Sequence, residues 1–217
     1  MAQLSFFRLL ATGCLALAVP LSVSSNAAAA PPHLEQLLES LWREVFSLPI
    51  DENPFTGGDH CLMLSDPRTD EPVLAPFATP TPAPACAVTM GTKLFVTGWS
   101  SECSNVEAAP FHGDGETELR ACAQHADAGL NTPVVTFDGR PVQMKQVETA
   151  LMEALLPEDN VFGQPVGTPI ESVAHGWVAL VPLTPGQHTV TIHTTGTYVS
   201  PPGPLDLTTT TTINVTR

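Results

Sequence analysis

The chain has 217 residues, with 22 acidic side chains against eight Lys and Arg and a formal net charge of −14 at pH 7. Only two lysines occur, Lys93 and Lys145. So acidic and lysine-poor a chain argues against binding nucleic acid or anionic lipid, and favours solubility, cations or simple repulsion.

Residues 1–30 have the pattern of a secretory signal peptide. A short polar start ends at Arg8, Leu9 to Val23 is almost continuously apolar, and Ser24-Ser-Asn-Ala-Ala-Ala-Ala30 offers Ala-x-Ala cleavage sites. The apolar run is too short for a membrane span, so no stable insertion is expected after cleavage. Cys14, in Ala-Thr-Gly-Cys, faintly resembles a lipid-attachment site, but the apolar run continues past it through Leu15 to Val19. The expected location is secreted or extracellular, periplasmic if the host has an outer membrane. About 187 residues then remain, enough for one domain with its own core.

Four cysteines follow the leader: Cys61, Cys86, Cys103 and Cys122. An even number in an exported chain, with no Cys-x-x-Cys spacing, implies disulfides rather than a zinc or redox motif. Of the three connectivities, Cys61–Cys86 with Cys103–Cys122 closes two modest loops without interleaving. In the chain-entropy description each contributes ~3 kcal/mol.

In chain order, residues 31–50 read as an N-terminal amphipathic helix. Leu34, Leu37, Leu38, Leu41, Trp42, Val45 and Phe46 make one stripe, with prolines before it and Pro49 after it. The stripe either packs on the domain or binds a partner; its mainly acidic polar face makes a poor membrane surface. Residues 51–217 form the expected β domain. Asp51 to Cys61 is turn-rich, Cys61 to Leu64 is a short strand, and the proline-rich Pro72 to Pro84 reads as an extended surface loop. A strand is expected over Lys93–Trp99 and a short helix over Glu116–Ala128. Val134–Val142 reads as a hairpin around Asp138-Gly139. Residues 146–156 carry both a helical period and a strand-like context; strand is preferred. Gly176–Leu183 and Gln187–Thr194 are expected to pair as a hairpin through Thr184-Pro-Gly186, and Leu207–Thr216 to be a final strand. The fold class expected is mainly β: an antiparallel β-sandwich with an N-terminal amphipathic helix, one short internal helix and two disulfides.

Four segments together carry a resemblance: Cys86 to Lys93, Glu102-Cys-Ser with Glu107, Leu156-Pro-Glu-Asp-Asn-Val-Phe-Gly163, and Pro182-Leu-Thr-Pro-Gly-Gln-His-Thr-Val190. They resemble a group of functionally uncharacterised secreted prokaryotic β-rich proteins with Glu-Cys-Ser and Leu-x-Pro-Gly-x-His-Thr motifs, over roughly Asn53 to Thr195. The resemblance implies a secreted β-rich domain and supplies no activity or site residues. Thr89-Met-Gly-Thr-Lys93 matches the family's turn only loosely, and His175 stands where an Asp is favoured.

For chemistry, Glu102, Glu107, Asp114, Glu116 and Glu118 crowd one segment. Glu102, Glu107 and Asp114 are the candidate metal ligands, with calcium the cation such oxygens suit; the EF-hand spacing is absent, and acids at 114–118 also suit a helix start. No His-Glu-x-x-His or Gly-x-Ser-x-Gly occurs. His188 and His193 are read as surface or edge histidines on opposite strand faces, and Trp99 and Trp177 as core. Asn214-Val-Thr216 fits a glycosylation sequon. The function expected is a secreted, non-catalytic binding or structural module with an unknown extracellular ligand or protein partner and no predicted cofactor. Its contact surfaces would be the leading-helix stripe and the Thr-rich last strand. The alternative is a cation-dependent or acid/base hydrolase centred on Glu102 to Glu118.

Overall fold

A computed structural model describes residues 32–77 and 85–217. The expected signal peptide and the end of the proline-rich stretch, residues 78–84, lie outside the described residues. Helices α1 (Pro32–Ser47) and α2 (Glu116–Asp127) accompany eleven strands: β1 (Cys61–Ser65), β2 (Pro72–Pro76), β3 (Cys86–Thr89), β4 (Lys93–Ser104), β5 (Val134–Phe137), β6 (Arg140–Val142), β7 (Lys145–Glu148), β8 (Met152–Leu155), β9 (Pro169–Pro182), β10 (Gly186–Val199) and β11 (Pro202–Thr216). One sheet runs β1-β2-β4-β9-β7, with β8 also on β9; the other runs β3-β11-β10-β5-β6. The mainly β, two-sheet, sandwich-like arrangement with two helices and two disulfides is as expected. Two pairings, β2 with β4 and β3 with β11, are parallel.

Alternation sorts the core. Leu94 and Val96 on β4 meet Val190, Ile192, Ile213 and Val215 of the second sheet. Phe95 on β4 and Ala174 and Val178 on β9 point the other way, onto α1. All seven apolar residues of the α1 stripe are buried there, each contributing about 1.5–3 kcal/mol over leaving it exposed. The stripe is therefore core and packs on the domain, with Leu41 and Trp42 also facing a cavity described below. α2 lays Leu119 and Ala123 over Cys103 and Val173, at the ends of β4 and β9.

Cys61–Cys86 joins β1 of the first sheet to β3 of the second, and Cys103–Cys122 joins β4 to α2. The Asp-Gly hairpin forms between β5 and β6, with Asp138 and Gly139 both at positive φ (50° and 73°), as a tight two-residue turn requires.

Two expectations need correction. Thr184-Pro-Gly186 is not a hairpin: β9 pairs with β4, β7 and β8, while β10 pairs with β11 and β5, so this turn carries the chain from one sheet to the other. The long hairpin is β10–β11, from Gly186↔Val215 to Val199↔Pro202, where β-branched residues suit the pleat on both strands. Pro72–Pro76 is strand β2 with Val73, Leu74 and Ala75 buried, not surface loop. Residues 146–156 hold two strands, β7 and β8, with a break at 149–151, so the preference for strand over helix stands. β7 and β8 follow one another along β9, and the misleading helical period ends at Leu155, 71% exposed.

Candidate functional site: an aromatic cavity beside a buried acid pair

β2 parts early from β4. Their pairing is Val73↔Lys93 and Leu74↔Leu94, and Pro76, which has no N–H to give a ladder, ends β2. Farther along β4 the register slips between Thr97 and Trp99, a bulge that re-aims the following side chains. Gly176 on β9 faces it, where an added Cβ would lie 2.3 Å from the Trp99 carbonyl oxygen.

A cavity of about 360 Å³ opens here. α1 supplies Leu41 and Trp42, the 3₁₀ turn Pro54–Thr56 supplies Phe55, and Phe77 follows β2. β4 supplies Thr97 to Ser100, β10 supplies Ile192, Thr194 and Tyr198, and β11 supplies Leu207 and Thr209. None of the lining residues is charged. Phe55 stacks on Trp42 (centroids 5.9 Å) and meets Phe77 edge-on (4.8 Å), while Trp99 meets Tyr198 edge-on (5.4 Å). The polar groups are already fixed. Trp42 Nε1–H donates to Ser100 Oγ at 3.0 Å, Trp99 Nε1–H to Ser101 Oγ at 3.2 Å, and Thr194 Oγ1 to the Gly98 carbonyl at 3.2 Å. Buried Asn53 holds the Phe55 rim. Its Oδ1 accepts from the Phe55 amide, and its Nδ2 donates to the Val45 carbonyl at the end of α1.

The predicted ligand residues begin with Glu102, near the far end of β4, and continue past it. Glu102 is buried and hydrogen-bonds Glu107. Ser172 Oγ donates to Glu102 Oε1, and Ser104 Oγ to Glu107 Oε2 at 3.1 Å. Burial first, and then the charge of Glu107, hold the Glu102 carboxyl well above the usual carboxylate range. Burial also raises Glu107, against the hydrogen bonds from Glu102 and Ser104. Asp114 stands apart: its side chain is 86% exposed and lies 3.4 Å from His112 Nε2. The structure thus joins Glu102 with Glu107 and leaves Asp114 outside. Neither glutamate lines the aromatic cavity. Among the described residues, one group of three ligand-type residues lies within metal-binding reach, His60, Cys61 and Cys86, and its two sulfurs form a disulfide.

Two histidine sites were not foreseen. His188 is buried, not a surface residue: Nδ1 lies 2.7 Å from Asp138 Oδ2 and Nε2 lies 2.7 Å from the Thr184 carbonyl. Acceptors at both nitrogens favour the charged imidazolium, and the Asp138 hydrogen bond first, then that to Thr184, raises its pKa. The alternating buried pattern of β10 does contain His188, and that was the available signal. His175 Nδ1 lies 2.8 and 3.0 Å from the two oxygens of buried Asp127, fastening the end of α2 to β9. Ser101 is its cross-strand partner, but Ser101 is buried, its oxygen accepts from Trp99, and no His175–Ser101 hydrogen bond accompanies the pair. Trp177 is core, as expected; Trp99 is a cavity wall.

Among the described residues no helix is long and apolar enough to cross a membrane. The chain matches no family model, no curated protein and no solved structure.

Proposed function

We propose that this protein is a secreted, non-catalytic binding module that holds a small, uncharged, aromatic or otherwise planar apolar molecule in the cavity between α1, β4 and the β10–β11 hairpin. The observation that carries this reading is a concave site walled by Trp42, Phe55, Phe77, Trp99 and Tyr198 with no charged residue in its lining. Its volume lies in the range of small-molecule sites, which are mostly apolar with a few fixed polar groups. Aromatic walls reward a flat ligand through edge and face contacts. The net charge of −14 disfavours anionic amphiphiles such as fatty-acid carboxylates. Export is supported by the leader-like first 30 residues and by the two disulfides, which persist in oxidising compartments.

The test uses N-phenyl-1-naphthylamine, a neutral fluorophore that brightens in apolar surroundings. The wild-type protein is expected to bind it saturably, Leu207→Trp to abolish binding by filling the cavity, and Phe77→Ala to weaken it. Binding unaffected by Leu207→Trp overturns the assignment. Binding that appears only when residues 78–84 are shortened identifies that segment, which follows Phe77, as the occupant in place of a free ligand.

A further inference from the structure

The buried acid pair and the aromatic cavity are neighbours through one loop. Glu107 lies on the connection from β4 to α2, which turns back along the end of β4. There the Ser104 amide donates to the Phe111 carbonyl at 3.0 Å, and the Gly113 amide donates to the Ser104 carbonyl at 3.3 Å. The Phe111 ring lies against Tyr198, centroids 6.4 Å apart, and Tyr198 meets Trp99. Tyr198 and Trp99 are cavity walls.

A buried carboxyl in hydrogen-bond contact with a half-buried one keeps a proton between them, because two like charges there would repel. Among the described residues no Lys or Arg is paired with either carboxyl, and the charge that His112 can carry acts on Glu107. From the loop, His112 Nδ1 lies 2.9 Å from the Glu107 carbonyl oxygen, and its other nitrogen faces Asp114. From β9 comes the Ser172 hydroxyl, and from β10 the Tyr198 ring, which feels the charge of Glu107. α2 presents Leu119 and Ala123 to the end of β4. Its Arg120 is bound to Glu116 and Glu148, and Arg43 of α1 to Glu39 and the Glu153 carbonyl.

We propose that the Glu102–Glu107 pair is a proton-operated latch on the aromatic cavity. With the shared proton in place, residues 105–112 hold Phe111 against Tyr198, and the cavity wall is complete. When the proton leaves, the two carboxylates separate, the loop withdraws Phe111, and the wall loosens. Ligand is held in acidic to neutral medium and released as pH rises. This regulation rests on the ligand-binding role proposed above.

The test measures N-phenyl-1-naphthylamine affinity from about pH 5 to about pH 9, together with amide hydrogen exchange of residues 105–112 in wild type and Glu102→Gln at matched pH. The wild type is expected to lose about tenfold in affinity across that range, and Glu102→Gln, in which Glu107 has no second carboxylate to repel it, less than about twofold. His112→Gln and Tyr198→Phe keep the wild-type pH trend, which separates the pair from the other titrating groups facing it. Wild-type exchange over 105–112 exceeds that of Glu102→Gln at the alkaline end. Affinity flat with pH, or Glu102→Gln following the wild type, overturns the latch. If no probe binds at any pH, the cavity reading fails, and the exchange comparison decides the latch: faster wild-type exchange supports it, equal exchange overturns it.

Discussion

Trp42 on α1 donates its indole N–H to Ser100 Oγ on β4 at 3.0 Å, across 58 residues of sequence. That bond sits in the cavity wall, on a helix whose apolar stripe is wholly buried. The helix is thus part of the domain's folding unit. Removal of residues 31–50 is expected to abolish cooperative unfolding, as read by circular dichroism; a folded truncated domain would contradict this. Ser100→Ala, which strips Trp42 of its acceptor, should cost about 1–2 kcal/mol in denaturant unfolding.

His188 links stability to pH. Its folded pKa is raised by Asp138 and Thr184, so its contribution is complete below the unfolded value of 6.5 and is lost as pH rises through the folded value. The melting-temperature advantage of wild type over His188→Gln should therefore shrink on alkalinisation. A difference independent of pH would show that the imidazolium contributes nothing as a charge.

Glu102 acts in the same direction for a different reason. Its folded pKa is raised by burial and by Glu107, so the stability it supplies is present at low pH and declines as pH rises through the folded value. Glu102→Gln should gain on the wild type in melting temperature as the medium becomes alkaline. The reverse trend would mean that the pair is ionised and tolerated in the folded state.

Calcium bears on the same carboxyls. A pair that keeps a proton, with Asp114 outside it, is a poor oxygen cage. Melting temperatures with calcium and with chelator should agree near neutral pH. A shift of several degrees would mark a cation bound only to the native protein.

The disulfides divide the work. Cys61–Cys86 spans the two sheets, and Cys103–Cys122 anchors α2 beside the acid pair. Replacing either pair by alanine should cost about 3 kcal/mol. Only the loss of Cys103–Cys122 should speed hydrogen exchange across residues 105–127.

The features legible in the sequence were local. The α1 period, the Asp138-Gly139 turn, the short helix at 116 and the non-interleaving cysteine pairs each follow from neighbouring residues. The Thr184-Pro-Gly186 turn was misread because a turn residue specifies a change of direction and not which strands pair across it. β4 was read as ending at Trp99 because Ser100 to Ser104 lack the residues strands prefer, yet it extends to Ser104 through its pairing with β9. The crowding of Glu102 with Glu107 was visible; that one of them is buried was not, because burial depends on the pairing with β9, which also supplies Ser172 to it. The cavity was not legible at all. It draws on α1, β4, β10 and β11, and arises where Pro76 ends β2 and β4 bulges. Thr208 and Thr210 of the last strand are exposed.

The three tryptophans give the most direct measurement of the central claim. Trp42 and Trp99 wall the cavity and Trp177 does not, so their indole N–H resonances are reporters with a built-in control. On titration with N-phenyl-1-naphthylamine, the Trp42 and Trp99 signals should shift together and saturate while Trp177 stays in place. A saturable shift at Trp177 alone, or none at any of the three, would contradict the assignment of this cavity as the binding site.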